Sequence, residues 1–148
     1  ILHSNDFTFA VILRNSSSNT DIENCYQYVN SALNEALNIS GVLVIINSGN
    51  SKIGKLRNPI CFNHSYNFEI TSAGKKIVGV AQRRLKNAAL VQGTLPISID
   101  YTAYSAIFGA SEDSIRERFC GLSDVIDTTN FDFTALADNF YERLKNNF

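Results

Sequence analysis

The stretch from Pro59 to Tyr101 constrains the fold more than any other part of the chain, because it alternates apolar and polar residues between short turns. It reads PICFNHSYNFEITSAGKKIVGVAQRRLKNAALVQGTLPISIDY. The alternation over residues 66–70 predicts a strand, and Ser72–Gly74 predicts a turn into a return strand over residues 75–81. Alternating apolar residues from Leu95 to Ile99 predict a third strand. This stretch is therefore expected to supply the sheet at the centre of the fold.

Three residues of this stretch are unusual for a purely structural hairpin. Lys76 stands directly before the apolar pair Ile77–Val78, and Gly79 interrupts the predicted return strand, where a glycine marks a bulge or a ligand close to the backbone. Cys61 lies just before the hairpin. A thiolate is a good nucleophile toward thioesters, but most single cysteines are packing residues. Residue types alone therefore leave a catalytic and a structural interpretation of Cys61 open.

The N-terminal part of the chain predicts a strand, a helix and a second strand. Apolar residues alternate from Phe7 to Leu13, which is typical of a strand buried on one face. Thr20 and Glu23 have the spacing of a capping box, and the apolar stripe that follows predicts a helix that Gly41 ends. The continuous apolar run Val42–Ile46 predicts a short buried strand.

The C-terminal part predicts three helices, over residues 101–108, 111–119 and 133–144. Ser111 is the expected N-cap of the second helix, and the third is expected to pack on the sheet. The basic segment Arg83–Lys86 is expected to form a turn. That turn has two interpretations, a solvated connection between strands or a patch that binds an acidic partner.

Composition narrows the class of protein. The chain has 148 residues, of which 45% are hydrophobic and 18% charged, so we expect a single soluble globular domain. A net charge of −1 gives no support to nucleic-acid binding, and no apolar run is long enough to span a membrane. Three cysteines and two histidines without paired spacing predict neither a disulfide framework nor a metal site. We expect a cytoplasmic protein whose natural start precedes Ile1.

Several runs resemble motifs of the lipoate-protein ligase and octanoyltransferase superfamily. The run Gly74–Arg84 resembles the family segment G-x-K-I-x-G-x-A-x-R, and Leu90–Leu95 resembles the turn and strand that follow it. The first residues, Ile1–His3, look like the end of a glycine-rich loop of the family. Arg57–Phe62 resembles the context of the nucleophilic cysteine in the octanoyltransferase branch.

This resemblance implies an α/β (α+β) fold with a central mixed β-sheet flanked by helices, as in the catalytic domains of biotin and lipoate protein ligases. It implies one catalytic domain over residues 1–148, with the glycine-rich substrate loop outside the chain. It makes Cys61 the nucleophile and Lys76 the residue that polarises the acyl carbonyl. The substrate-binding residues that it implies are His3, Gly79, Ala81, Gln92, Gly93 and Thr94. Gln92 stands where the family often has a histidine.

The activity that the resemblance implies is octanoyl transfer from acyl carrier protein, through a Cys61 thioester, to a lysine of a lipoyl domain. Such domains occur in the glycine-cleavage carrier protein and in 2-oxo-acid dehydrogenase subunits. The transferase reaction needs no cofactor. One alternative is a lipoate-protein ligase that uses ATP and magnesium, and another is an amidotransferase between carrier domains. A third is a non-catalytic relative that only binds carrier proteins.

Overall fold

A computed structural model of the chain describes residues 5–14, 22–47, 68–85 and 88–146. These residues form six strands, four α-helices and one short 3-10 helix. In chain order they are β1 (Asp6–Arg14), α1 (Ile22–Ile39), β2 (Ile45–Asn47), β3 (Glu69–Ser72), β4 (Lys75–Lys76), β5 (Gly79–Leu85), β6 (Ala88–Pro96), α2 (Tyr101–Phe108), α3 (Glu112–Arg116), the 3-10 helix Leu122–Asp124 and α4 (Phe133–Asn146).

The described strands form two antiparallel sheets of three strands each. The long sheet has the order β1-β6-β5, and the short sheet has the order β2-β3-β4. The sequence predicted one central mixed sheet; in the described part of the chain, parallel pairing is limited to a single bridge between Lys76 and Phe119. The two sheets are joined by Ile77–Val78, both of which are buried in the main core.

Two predicted strands have different limits in the structure. The return strand over residues 75–81 is divided between β4 and β5, because the core takes up Ile77 and Val78 between them. The strand predicted from Leu95 to Ile99 lies mostly earlier in the chain, since β6 covers Ala88–Pro96. One further backbone hydrogen bond follows it, from the Ile97 N–H to the Asn5 carbonyl at 2.8 Å. The prediction of a turn at Arg83 is wrong, because β5 continues to Leu85.

Helix α1 confirms the helix predicted from its apolar stripe. The side chains of the stripe fill the core, and Cys25 is among them as expected. Gly41 has φ of 84°, and the Val42 N–H donates to the Leu37 carbonyl at 2.9 Å, so a Schellman motif ends the helix. The predicted cap at Thr20 lies outside the described residues.

The run after α1 is not the fully buried strand that the sequence predicted. Val42 and Val44 are buried, but Leu43 is 84% exposed and Ile45 is 65% exposed. Side chains of an extended segment point alternately to its two faces. Only one face of this segment meets the core, and β2 itself covers only Ile45–Asn47 at the edge of the short sheet.

The C-terminal helices agree with the prediction in place, although α3 is shorter. The Ser111 hydroxyl accepts a hydrogen bond from the Ser114 N–H and caps α3. Helix α3 ends at Arg116, before the predicted end at Phe119. Helix α4 packs on the long sheet, as expected, through an edge-to-face contact between Phe9 and Phe140 with ring centroids 5.2 Å apart.

Candidate active site

The backbone of Lys76 is held from two sides. Lys76 pairs with Thr71 in the β3–β4 hairpin. On its other side, the Lys76 N–H donates to the Arg118 carbonyl at 2.9 Å, and the Lys76 carbonyl accepts from the Cys120 N–H at 3.0 Å. An isolated two-stranded hairpin is only marginally stable. The segment Arg118–Cys120, which follows α3, therefore acts as a further partner for the lysine strand.

The Lys76 side chain forms a buried ion pair. Its Nζ atom donates to Glu69 Oε1 at 2.6 Å, and the two side chains are 8% and 6% exposed. Glu69, Thr71 and Lys76 share one face of the short sheet, because side chains alternate along a strand and Thr71 pairs with Lys76. Ile70 points to the opposite face and belongs to the main core. A positive and a negative charge thus lie together with little contact to water.

The residue before Glu69 has an unusual backbone conformation. Phe68 has φ of 70°, in the left-handed region that bulky side chains rarely adopt. Its N–H donates to the Asn47 carbonyl at 3.0 Å, and its carbonyl accepts from Asn30 Nδ2 at 2.8 Å. Asn30 is buried within α1. Strain of this kind persists only when surrounding contacts hold it, and here it sets the start of the strand that carries Glu69.

Four of the predicted substrate-binding residues lie on one face of the long sheet. Gly79 pairs with Thr94, and Ala81 pairs with Gln92. Residues that pair directly across antiparallel strands point to the same face of the sheet. The two pairs are two residues apart along each strand, so all four residues point to one face. Ala81 and Gln92 are exposed, whereas Thr94 is buried, and its hydroxyl has no hydrogen-bond partner among the residues that the structure describes.

Gly93 lies on the opposite face of the long sheet from these four residues. The Phe9 ring lies across the position where a side chain on residue 93 would begin. Gly93 is therefore a mid-strand glycine that makes room for an aromatic ring, rather than a tight turn. His3 and Cys61 lie outside the described residues, and the role of each stays a prediction.

Sequence reasoning missed Glu69. The alternation over residues 66–70 assigned it only to the polar positions of a half-buried strand. A signal was present, because a hairpin with a turn at Ala73–Gly74 pairs residue 71 with residue 76 and puts residue 69 on the same face as Lys76. Nothing in the sequence pattern showed that this face would be buried.

The two described cysteines are both buried. Burial raises the pKa of Cys120 to about 11; the negative charge of Asp124 adds to the shift, and Lys75 acts against it. The Cys120 thiol is therefore protonated at neutral pH and is a poor nucleophile. Asp124 also accepts hydrogen bonds from the Tyr101 hydroxyl at 2.6 Å and from the Gly121 N–H at 2.8 Å, which holds this part of the chain together.

Within residues 5–14, 22–47, 68–85 and 88–146, no group of three or more histidine, cysteine, aspartate or glutamate side chains is arranged to hold a metal ion. Across the same ranges, no helix has the length and apolar character needed to cross a membrane.

The sequence as a whole matches a known protein family. The sequence model of the lipoyl protein ligase A/B catalytic domain matches residues 1–148. The chain belongs to that family. The predicted resemblance is thereby confirmed, and so is the predicted fold class, since helices combine with antiparallel sheets in a fold shared with the ligases.

Curated relatives of this lipoyl ligase family member include several octanoyltransferases. The octanoyltransferase LipM of Clostridioides difficile (strain 630) is 26% identical over 121 residues, which cover 80% of this chain and 45% of that protein. The octanoyltransferase LipM of Macrococcus caseolyticus (strain JCSC5402) is 26% identical over an alignment 156 positions long, which covers 96% of this chain and 56% of that protein. The chain thus spans about half the length of the curated relatives it matches.

Solved structures of ligases share the fold. A crystal structure of lipoate-protein ligase A bound with ATP superposes with a TM-score of 0.67 and 20% identity, covering 95% of this chain and 51% of that one. A bipartite lipoate protein ligase from Thermoplasma acidophilum gives a TM-score of 0.66 at 23% identity, covering 95% of this chain and 51% of that one. The apo structure of a biotin protein ligase from Aquifex aeolicus gives a TM-score of 0.62 at 13% identity, covering 96% of this chain and 52% of that one.

Proposed function

We propose that this chain carries out octanoyl transfer in protein lipoylation. It moves an octanoyl group from acyl carrier protein to Cys61, and then to a lysine of a lipoyl domain in the glycine-cleavage carrier protein or a 2-oxo-acid dehydrogenase subunit. The reaction takes place in the cytoplasm. The observation that carries the proposal is the match to octanoyltransferases named LipM over 80% or more of the chain.

The chemistry consists of two exchanges at one carbonyl carbon. The Cys61 thiolate attacks the thioester of octanoyl-carrier protein, a new C–S bond forms, and the carrier leaves as a thiolate that takes up a proton. The ε-amine of the acceptor lysine then attacks the Cys61 thioester, loses a proton, and releases the Cys61 thiolate. The first exchange converts one thioester into another of similar energy, so neither step calls for ATP or another cofactor.

Lys76 has the role of stabilising the oxyanion in both steps. A charged donor in a site with little water stabilises developing negative charge more strongly than it would in bulk solvent. The low exposure of the Lys76 side chain and the two backbone hydrogen bonds that hold its strand support this role. The exposed Ala81 and Gln92 on the long sheet then line the place where the acyl chain lies.

The direct test is to look for the acyl-enzyme. The full-length protein is incubated with octanoyl-carrier protein without ATP, and its mass is recorded under mild, non-reducing conditions. We expect a hydroxylamine-labile octanoyl adduct that is absent in Cys61→Ser and forms much more slowly in Lys76→Ala. Cys120→Ala is the matched control and should still form the adduct, because the Cys120 thiol is buried.

Two other outcomes would overturn the proposal. If no adduct forms without ATP, but a lipoyl domain is modified once lipoate, ATP and magnesium are added, the chain is a lipoate-protein ligase. If neither mixture modifies a protein, the chain is a non-catalytic relative that binds carrier proteins.

A further inference from the structure

We propose that Glu69 is a positioning residue for Lys76: its carboxylate holds the lysine ammonium in a buried place and aims it at the oxyanion of the acyl-transfer reaction. This inference rests on the proposed function of Lys76 and adds to it a residue from outside the family motif Gly74–Arg84.

The geometry of the pair supports this role. The Lys76 Nζ atom lies 2.6 Å from Glu69 Oε1, and less than a tenth of either side chain is exposed. A hydrogen bond between two ionised groups is short and about twice as strong as one between neutral groups. An ammonium group has three N–H donors, so a bond to Glu69 is compatible with a second bond to an oxyanion in the substrate complex.

Burial makes the carboxylate necessary. A charged ammonium that leaves water loses several kcal/mol of hydration unless an opposite charge or several hydrogen bonds replace it. The charge of Lys76 is present at all times, whereas the negative charge of the oxyanion exists only briefly during each acyl exchange. The permanent partner must therefore come from the protein, and Glu69 is the carboxylate that the structure puts there.

The other charged and titratable groups of the elements around Lys76 are less suited to this role. Lys75 is its neighbour on β4, but alternation along the strand directs Lys75 to the opposite face. Arg118 and Cys120 belong to the segment that bonds to the Lys76 backbone. The Arg118 side chain is exposed, and burial raises the pKa of Cys120 to about 11, so this thiol carries no charge near neutral pH.

The backbone immediately before Glu69 has an unusual conformation. The left-handed φ of Phe68 turns the chain immediately before Glu69, and Asn30 from α1 secures this turn through the Phe68 carbonyl. Residues in sparsely populated backbone conformations cluster at functional sites, where the surroundings over-determine them. The backbone conformation of Phe68 therefore supports a positioning role for the residue that follows it.

The test separates a positioning role from a merely structural one. Single-turnover acylation by octanoyl-carrier protein is measured in the full-length protein for wild type, Glu69→Gln and Glu69→Asp. The amplitude of the acyl-enzyme gives the fraction of correctly folded molecules, and the rate constant reports the chemistry. Glu142→Gln is the matched control, because Glu142 also pairs with a lysine, at 3.2 Å from Lys145, but on the exposed surface of α4.

We expect Glu69→Gln to lower the rate constant by about 10- to 100-fold, since misplacement of a catalytic group by about 1 Å has effects of this size. The carrier concentration that gives half of the maximal rate constant should change by less than about twofold, because Lys76 acts on the reacting carbonyl rather than on the carrier. Glu69→Asp keeps the charge on a shorter side chain, so its rate constant should lie between those of wild type and Glu69→Gln. Glu142→Gln should match wild type in amplitude and rate constant.

A Glu69→Gln protein that reacts with the wild-type rate constant would overturn the inference, even if its amplitude or thermal stability is lower, because the pair would then be only structural. If Glu69→Gln does not fold, Glu69→Asp decides, and a wild-type rate constant in that variant overturns the inference. These results are distinct from a failure of the proposed function, in which the wild-type protein itself forms no acyl-enzyme.

Discussion

Replacing Gly93 by alanine tests how closely β1 and β6 approach each other beneath the Phe9 ring. Phe9 pairs directly with Gly93 in the antiparallel ladder. A Cβ atom on residue 93 would lie 2.5 Å from Cε1 and 3.0 Å from Cε2 of that ring, with Cζ closer still. Carbon atoms in favourable contact lie about 3.5–4.0 Å apart. The ring edge must therefore move by about 1 Å to admit a methyl group.

The size of the effect follows from what the ring touches. The Phe9 ring meets Phe140 of α4 edge to face, with centroids 5.2 Å apart and an interplanar angle of 74°. Such pairs contribute about 0.5–1.5 kcal/mol beyond their buried area, and overpacking a core costs about 1–3 kcal/mol. Alanine restricts the unfolded chain and returns about 0.4–1 kcal/mol. We expect Gly93→Ala to lower the free energy of unfolding by about 1–3 kcal/mol.

The assay is urea unfolding, followed by circular dichroism, for a double-mutant cycle with Phe9→Leu. Leucine lacks the ring edge that meets the new methyl group. The double variant should therefore be more stable than the sum of the single effects predicts, by at least about 1 kcal/mol. Additive single effects, or a Gly93→Ala protein as stable as wild type, would refute the reasoning.

The cycle also bears on the predicted substrate contact at Gly93. If the two substitutions couple, the packing of Phe9 alone requires a glycine at this position. A loss of activity in Gly93→Ala would then follow from displacement of β6, which also carries Gln92 and Thr94, and would not show contact with the acyl chain.

Two further predictions concern groups that hold the site in place. Asn30→Ala should lower the free energy of unfolding by about 1–3 kcal/mol, because it leaves the part-buried Phe68 carbonyl without its donor. The control is alanine at Asn24, which is exposed on the same helix, and equal losses for the two variants in urea unfolding would contradict this. Burial raises the pKa of Cys120 from an ordinary 9.0 to about 11, so between these pH values the unfolded chain loses the thiol proton and the folded protein keeps it. The free energy of unfolding should therefore fall as pH rises from about 9 to about 11, more steeply in wild type than in Cys120→Ala. Parallel curves of unfolding free energy against pH for the two proteins would contradict this second prediction.

The sequence predicted best those elements whose pattern is local and repeated. The stripe of α1 and the alternation in β1 each recur over several turns or residues, so burial could be read directly from the spacing. The limits of the strands around Lys76 were harder to predict. β4 has only two residues, and Ile77–Val78 continue an apolar pattern that looks like an unbroken strand until the core divides it.

The candidate site was predictable by residue type but not by its surroundings. The run that contains Lys76 resembles a family motif, and the family itself is confirmed. The ion pair with Glu69 depends on burial of one face of the short sheet, and the alternation of residue types along a strand does not show which face is buried. The strain at Phe68 likewise depends on Asn30, which lies 38 residues earlier. No local pattern contains that information.

The placement of Lys76 is thus a tertiary property of the domain. Two residues of β4 cannot hold a charged side chain in a fixed direction by pairing with β3 alone, since short hairpins are marginal in water. The structure adds the segment Arg118–Cys120, which bonds to both backbone polar groups of Lys76. Asn30 acts on the other strand, through the turn before Glu69. The segment after α3 thus fixes the backbone of Lys76, while α1 fixes the start of the strand that carries its partner Glu69, so loss of either contact should disturb the direction of the lysine side chain.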